Sequence, residues 1–478
     1  MTTAHDPDAT TGLRAGTLGE LRASGHLPRS VKVEMRANLL TRLADGVPLF
    51  EGIVGYDESV IPAIENALLA GQDIVFLGER GQAKTRLARQ LVGLLDTHIP
   101  VVANSELNDD PLAPVGPEAI ARIAAEGDQT PVAWLPRDRR YGEKLATPDI
   151  SIADLIGEVD PIKVAEGRYL ADASTIHFGL IPRTNRGIFT INELPDLAER
   201  IQVGLLNILE ERDVQVRGYA LRLPLDLLVV ASANPEDYTS RGRIITPLKD
   251  RLGSQIRTHY PRTLEDEMAI MRQERTRFAD DSGPLIAEPE YMLELVAELT
   301  HLARRSPEIS QRSGVSVRVS VANLEILLAA TLKRAVRLGE PSGAPRVSDL
   351  AALLPSTTGK IELESLGDEA PEERIVDRLL SRAVSAVFAR RVDAHQSAEV
   401  VEAFESGLVI ETGDAIASQD YVRWVRETPG MGEAVARLGA GESPAEVASA
   451  VEFLLEGLHL QRRLNKERTA ANGGRYRA

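Results

Sequence analysis

The sequence predicts an α/β fold, in which a parallel sheet covered by helices is followed by regions that are helical only. Three observations predict it. Short apolar segments alternate with helical patterns, a glycine-containing loop joins one apolar segment to a helix, and strand-like patterns fade after Leu264. The candidate strands are Asp73–Leu77, His98–Ala103, Gly187–Ile191 and Leu227–Ala233.

The predicted elements fall into four successive regions. Residues 1–45 form an N-terminal lead and helix, residues 46–262 the α/β core, residues 263–360 a helical domain, and residues 361–478 a helical extension with a basic tail. After residue 262, helical patterns cover Leu264–Phe278, Glu290–Arg305, Val319–Leu338, Glu372–Arg391, Gln419–Glu427 and Ser443–Arg468.

Two segments depart from these regular patterns. The stretch between Pro111 and Pro182 is rich in proline, glycine and charge, and within it Tyr169–Phe178 fits a hairpin with its turn near Asp172. The last seventeen residues carry six basic groups. They are predicted to form a solvated, frayed tail, with docking to a partner or an anionic surface as the alternative.

Composition excludes several classes of protein. The 478 residues are 43% hydrophobic and 26% charged, which suits a soluble chain with more than one domain. The net charge of −16 disfavours a general nucleic-acid binder, and the absence of cysteine excludes disulfides and thiolate chemistry. The sequence has no apolar run long enough to span a bilayer and no N-terminal secretory pattern, so a cytoplasmic location is expected.

The strongest motif lies between a predicted strand and a predicted helix. The pattern matches a phosphate-binding loop, in which Lys84 reaches the outer phosphates and the Thr85 hydroxyl ligates Mg²⁺. Ala83 stands where the second motif glycine is expected, which is tolerable if this residue already begins the helix with a negative φ. An ordinary strand-to-helix turn remains the alternative. The loop residues are Gly78, Glu79, Arg80, Gly81, Gln82, Ala83, Lys84 and Thr85.

A second motif follows about a hundred residues later. Gly187–Glu193 is an apolar strand that ends in two polar residues, which is how a Walker B element is built beside a phosphate loop. In that role Glu193 orients the attacking water and Asn192 faces the metal. A strand-end turn without chemistry fits the spacing equally well.

Longer runs of sequence resemble a known family. Asp154–Gly157, Gly179–Leu194 and Gly204–Val214 are similar to segments of magnesium-chelatase I subunits, and Ala83–Thr85 resembles the loop of MoxR-type ATPases, where alanine usually precedes the lysine. The resemblance covers roughly residues 50–330. It implies an AAA+ P-loop core with a parallel five-stranded sheet and inserted hairpins, then a helical lid and an all-α C-terminal extension.

The resemblance also implies roles for three further residues. Asn234 falls at the sensor-1 position, where an amide holds the lytic water or the γ-phosphate. Arg251 falls at the arginine-finger position, which serves the nucleotide of a neighbouring subunit. Arg318 fits sensor 2 in the lid, with a structural ion pair as the alternative. ATP and Mg²⁺ are the implied cofactors, and the implied partners are a homo-oligomeric ring, expected to be a hexamer, and a von Willebrand A-domain protein.

One residue departs from the family pattern. The family has aspartate before the catalytic glutamate, whereas this chain has Asn192. Loss of one charge-assisted bond costs about 1.5–3 kcal/mol, or roughly ten- to hundredfold in metal or nucleotide affinity. Because Glu193 is intact, the sequence predicts hydrolysis that is retained but slow.

Four functions follow from this pattern. The leading hypothesis is a ring ATPase that remodels or loads a client protein. The alternatives are the motor subunit of a magnesium or other metal chelatase in tetrapyrrole synthesis and a nucleotide-gated scaffold that barely hydrolyses ATP. A sigma-54 activator is disfavoured, because the chain has no G-A-F-T-G-A loop and no clear DNA-recognition helix near its C-terminus.

Overall fold

The computed structural model divides the chain into two compact units. The first unit ends at Thr258 and the second begins at His259, with residues 80–82 grouped with the second. The structure describes residues 14–159, 176–210, 213–215, 222–234, 244–277, 283–310, 314–362, 372–393, 397–441, 443–469 and 472–478.

A parallel sheet of five strands, in the order β11-β1-β10-β7-β4, forms the centre of the first unit. Because all five strands run the same way, their carboxyl ends share one edge, which is where open α/β sheets bind ligands. The described strands of this unit are β1 (Ile74–Leu77), β2 (His98–Val102), β3 (Val132–Pro136), β4 (Tyr141–Leu145), β5 (Gly157–Val159), β6 (Ile176–Phe178), β7 (Gly187–Asn192), β8 (Asp213–Gln215), β9 (Arg222–Pro224), β10 (Leu227–Ala233) and β11 (Ser254–Arg257).

The prediction that His98–Ala103 joins this sheet is wrong. β2 pairs antiparallel with β3, and the edge position belongs to β4 instead. Pro100 lies in the middle of β2 and has no N–H, so it cannot donate to a sheet neighbour and suits a two-stranded ribbon. β5 and β6 form a second antiparallel pair, whereas the rest of the hairpin predicted at Tyr169–Phe178, with its turn at Asp172, lies outside the described residues.

Helices cover both faces of the sheet. Alternate side chains of the strands point to opposite faces, so Ile74 and Phe76 pack with α2, α3 and α4, while Val75 and Leu77 belong to the core that includes α8 and α9. The described helices are α1 (Leu18–Ala23), α2 (Val31–Ala44), α3 (Val60–Leu69), α4 (Lys84–Gln90), α5 (Pro117–Glu126), α6 (Ile152–Leu155), α7 (Leu180–Arg183), α8 (Glu199–Glu210) and α9 (Thr246–Arg251). Short 3₁₀ turns occur at Leu91–Leu94, Gly127–Gln129, Arg137–Arg139 and Leu194–Asp196.

The second unit is mainly helical, as the sequence predicts. α11 is buried along most of its length and α14 packs beside it. The described helices are α10 (Leu264–Glu274), α11 (Glu290–Arg305), α12 (Val317–Leu338), α13 (Leu354–Thr358), α14 (Glu372–Arg391), α15 (Ala398–Glu405), α16 (Ser418–Glu427), α17 (Met431–Arg437) and α18 (Pro444–Leu460), with a 3₁₀ segment at Val347–Leu353. The described strands are β12 (Leu285–Ile286), β13 (Ser342–Gly343), β14 (Ile410–Thr412), β15 (Asn465–Arg468) and β16 (Gly474–Arg477).

The end of the chain is an ordered part of the second unit, so the prediction of a frayed basic tail is wrong. β14, β16 and β15 form a three-stranded antiparallel sheet, and the helix predicted to reach Arg468 ends at Leu460. Tyr476 is buried, and the ammonium of Lys466 lies 2.6 Å from the carboxylate of Glu456. Among the basic residues of this segment, Lys466 and Arg468 form ion pairs with carboxylates on helices, and Arg475 and Arg477 pair with carboxylates on neighbouring strands. Within the described part of the chain, no helix is both long and apolar enough to cross a membrane.

Candidate functional site

The phosphate loop joins β1 to α4 at the carboxyl edge of the sheet. All four residues of β1 are buried between β10 and β11, and the N–H of Gly78 donates to the carbonyl of Ala233 at 3.1 Å. The ammonium of Lys84 donates to the carbonyl of Gly78 and, at 2.9 Å, to that of Glu79. Backbone carbonyls therefore hold the lysine side chain at the loop. Its ammonium is a cation that can bind an anionic ligand there.

Ala83 does not have the negative φ that the sequence analysis expects. Its backbone is left-handed, with φ 56° and ψ 14°, in the residue just before α4. A residue with a Cβ pays about 1 kcal/mol for this conformation, which glycine adopts freely. Glu193 is also left-handed, with φ 54° and ψ 48°. Both motifs therefore contain a strained residue, a feature that clusters at functional sites.

The carboxyl ends of β7 and β10 bring Asn192 to the phosphate loop. The hydroxyl of Ser232 donates to Asn192 Oδ1 at 3.2 Å, and Thr85 Oγ1 lies 3.5 Å from the same oxygen. Ser232 also accepts the backbone N–H of Glu193 at 3.2 Å. Thus one partly buried hydrogen-bond network connects the loop threonine with both polar residues of the second motif.

One member of this cluster, Glu143 on the edge strand β4, lies outside both sequence motifs and was not predicted. Its Oε1 accepts from Asn192 Nδ2 at 2.7 Å, and its two oxygens accept from Arg89 at 2.7 and 3.0 Å. Tyr141 donates its hydroxyl to Glu143 at 3.1 Å. The Arg89 hydrogen bond is the main cause of a lowered pKa for Glu143, while burial first and the adjacent carboxylate second raise the pKa of Tyr141 to about 12.

The residues present fit a hydrated Mg²⁺ bound with a nucleotide. Thr85 Oγ1 and Asn192 Oδ1 are hard oxygen donors, and no group of three or more His, Cys, Asp or Glu side chains suited to a metal occurs in the described ranges. This is the ligand set expected when Mg²⁺ keeps waters and phosphate oxygens rather than an all-protein cage. Asn234, at the end of β10, is buried, and its Oδ1 has no hydrogen-bond partner among the described residues.

The two predicted arginines lie outside the network of Thr85, Asn192 and Ser232. Arg251 ends α9 in a partly exposed position, and its Nη1 donates to the carbonyl of Pro247 in the same helix at 2.9 Å. Arg318 is exposed in the first turn of α12, in the second unit, where its N–H donates to the N-cap hydroxyl of Ser316. The structure therefore brings together Lys84, Thr85, Asn192 and Glu193 and leaves the functions of both arginines as proposals.

Comparison with known proteins identifies similarity to one family model and two curated proteins. The model for the Sigma-54 interaction domain matches residues 164–254, a minority of the chain that includes β7 and β10. An uncharacterized protein of Bacillus subtilis, YeaC, is 24% identical over 192 residues, which are 37% of this chain and 56% of YeaC. The acetoin dehydrogenase operon transcriptional activator AcoR of the same organism is 26% identical over 117 residues, 24% of this chain and 19% of AcoR. The chain thus spans about half of the first relative and a fifth of the second.

Two solved structures that resemble this chain have low sequence identity to it. NtrX from Brucella abortus in complex with ATP has 15% identity and a TM-score of 0.41, covering 82% of this chain and 72% of that chain. A complex of the magnesium-chelatase subunits BchI and BchD has 20% identity and a TM-score of 0.35, covering 69% of this chain and 97% of that chain. The five-stranded parallel sheet and the matched family model identify the fold class: an AAA+ P-loop core followed by a mainly helical region.

Proposed function

We propose that this protein is an AAA+ ATPase that hydrolyses Mg–ATP to remodel or load a client protein. It belongs to the branch of magnesium-chelatase I subunits and MoxR-type ATPases and assembles into a hexameric ring. A von Willebrand A-domain protein acts as its partner. The observation that carries the ATPase proposal is the partly buried network in which Thr85 of the phosphate loop contacts Asn192, which also accepts from Ser232, at the strand ends. The ring, the branch and the partner follow from the resemblance of the sequence.

The chain's own groups divide the work of hydrolysis. The loop from Gly78 to Thr85 holds the phosphates, with Lys84 on the outer ones. Glu193 and Asn234 orient the water whose oxygen bonds to the γ-phosphorus while the bond to the bridging oxygen breaks, releasing ADP and phosphate. Thr85 and Asn192 would hold Mg²⁺, which neutralises phosphate charge when bound. Arg251 acts on a neighbouring subunit's nucleotide, and Arg318 contacts the phosphates as sensor 2.

Nucleotide binding tests the loop directly. In the Lys84→Ala variant, the affinity for a fluorescent ATP analogue should fall by about a hundredfold, because the only loop ammonium is lost. Lys333→Ala, at an exposed position of α12, is the matched control and should bind as the wild type does. Near-normal affinity in Lys84→Ala would show that the segment is an ordinary strand-to-helix turn.

Mixing experiments test the shared site. Arg251→Ala should keep nucleotide binding but lower turnover by about a thousandfold, the usual contribution of an arginine finger. Glu193→Gln should also bind without hydrolysing. Mixed rings should recover part of the activity, because one variant supplies Arg251 to the intact Glu193 of the other. Absence of recovery in rings confirmed to be mixed would contradict a site completed between subunits.

Three other functions remain candidates, and one is favoured by specific observations. The family model and the similarity to AcoR favour a sigma-54-dependent transcriptional activator. That candidate requires ATP-dependent binding of sigma-54 by the purified chain. The chelatase motor requires stimulation of ATPase activity by the other chelatase subunits. A weakly hydrolysing scaffold requires ring assembly with ATP and a turnover that stays very slow under all of these conditions.

A further inference from the structure

The amide of Asn192 has one orientation that its neighbours accept. Its Nδ2 donates to Glu143 at 2.7 Å, while its Oδ1 accepts from Ser232 and faces Thr85 Oγ1. The reversed amide would set its oxygen against the carboxylate of Glu143 and lose a charge-assisted hydrogen bond. Glu143 therefore determines that Asn192 presents an oxygen, and not an NH₂ group, to the loop threonine.

The negative charge at this contact lies on Glu143 and not on residue 192. Where the resemblance expects an aspartate at position 192, the chain has a neutral amide, and the carboxylate stands on the adjacent strand as Glu143. Arg89 pairs with this carboxylate, but its side chain is 62% exposed whereas that of Glu143 is 21% exposed. The carboxylate is therefore the less hydrated member of the pair, and it is the member that contacts Asn192.

We infer that Glu143 is a positioning residue of the site, which supplies through Asn192 both the charge and the orientation that an aspartate at position 192 would supply. This inference rests on the proposed nucleotide site. It also explains why the chain carries an amide there: with Glu143 in contact, a second carboxylate at position 192 would meet a like charge. The two residues thus form an acid–amide pair, so a change of either residue alone should impair the site, whereas exchange of acid and amide between the two positions should preserve it.

Three variants separate charge from orientation. Glu143→Gln keeps an oxygen that accepts from Asn192 but removes the charge, so the Mg²⁺ concentration for half-maximal nucleotide binding should rise by about tenfold. Asn192→Asp alone places two carboxylates in contact and should raise that concentration by a similar factor. In Glu143→Gln with Asn192→Asp, the glutamine donates to the aspartate, which restores one charge and one hydrogen bond. This double variant should return to within about threefold of the wild type.

The experiment is an equilibrium titration of the full-length protein with a fluorescent ATP analogue at a series of Mg²⁺ concentrations, so it needs no turnover. Glu126→Gln is the matched control, since Glu126 is also paired with an arginine, Arg122, but lies on α5. An unchanged Mg²⁺ dependence in Glu143→Gln, tighter binding in Asn192→Asp, or a double variant no better than the single ones would overturn the inference.

Failure of the inference and failure of the proposed function give different results. If the wild type binds no nucleotide at any Mg²⁺ concentration, the proposed function fails. If it binds with a clear Mg²⁺ dependence that Glu143→Gln does not alter, only the role of Glu143 fails. Urea unfolding of each variant, compared with the wild type, identifies any variant whose weaker binding reflects loss of folded protein.

Discussion

Each unit contains a bidentate ion pair, in which two nitrogen atoms of one arginine donate to the two oxygens of one carboxylate, yet the two pairs have different surroundings. Arg89 donates to Glu143 at 2.7 and 3.0 Å, and Arg304 donates to Glu267 at 2.7 and 3.0 Å. The first pair is exposed by 62% and 21%, the second by 12% and 0%. Similar local geometry therefore occurs at the protein surface and in a helical core.

The remaining contacts of each carboxylate distinguish the two pairs. Glu267 also accepts from Ser320 and lies 3.5 Å from His301, so its contacts stay among α10, α11 and α12. Glu143 instead contacts Asn192, whose oxygen faces the phosphate loop. An arginine–carboxylate pair thus indicates a functional site only through what its other contacts reach, and the other contacts of Glu267 stay within the helical core.

The largest expected difference between the pairs is in stability. Glu267→Gln should lower the free energy of unfolding by about 3 kcal/mol, because the buried guanidinium of Arg304 loses its counter-charge. Glu143→Gln, the matched variant in the first unit, should change it by less than about 1 kcal/mol, since its arginine is exposed. Urea unfolding of the full chain measures both. Equal losses would remove the distinction between a structural pair and a pair at the site.

Acid should affect the buried pair in a definite direction. Burial raises the pKa of Glu267, but contacts with His301 and Arg304 outweigh it, so the pKa in the folded state lies below the usual 4.5. The stability that this carboxylate contributes is therefore complete above about pH 4.5 and is lost as pH falls through the lowered pKa. The urea midpoint of unfolding should fall as the pH is lowered below about 4.5, and it should fall less steeply in Glu267→Gln. Parallel curves for the two proteins would contradict this.

The part of the site that could be predicted from the sequence is local in the chain. The loop Gly78–Thr85, with its glycines and lysine, directly follows the strand Ile74–Leu77, and Gly187–Glu193 is one strand with its end. Both motifs predicted the residues that the structure brings together. Glu143 could not be found in this way, because its contact with Asn192 joins residues 49 positions apart and depends on β4 occupying the sheet edge.

The same limit explains the errors elsewhere. The basic C-terminal residues look like a tail because the strand that joins them to the rest of the second unit is distant: β16 pairs with β14, which lies more than sixty residues earlier in the chain. The longer helices of the second unit were predicted, since each carries its own periodicity, whereas the short helices α13, α15 and α17 were not. Among the predicted ones, α12 begins after the N-cap Ser316 and ends at the left-handed Gly339. Strand pairing, unlike a helix, is not encoded within one segment.

The next smaller effect on the free energy of unfolding comes from backbone strain at Ala83, beside the site. The Arg304–Glu267 pair of the second unit involves no such strain. Ala83→Gly should raise the free energy of unfolding by about 1 kcal/mol at most, because glycine adopts the left-handed φ of 56° without a Cβ clash, although its freer unfolded chain offsets part of the gain. Thermal unfolding measures this change. Gly71→Ala, at a left-handed glycine (φ 68°) in the same unit, should have the opposite sign. A loss of stability in Ala83→Gly would show that the alanine side chain, and not its backbone, governs the loop.

The smallest expected effect is that of Arg89→Ala, and Arg304→Ala in the second unit is its matched comparison. Arg89→Ala should change the free energy of unfolding by less than about 1 kcal/mol, because the exposed guanidinium gains little over water and Glu143 keeps its bonds to Tyr141 and Asn192. Arg304→Ala should cost about 3 kcal/mol, since it leaves Glu267 buried without its cation. Urea unfolding of the two variants side by side decides the matter. Should Arg89→Ala cost as much as Arg304→Ala, then Glu143 would be a structural carboxylate, and its contact with Asn192 would be a consequence of packing.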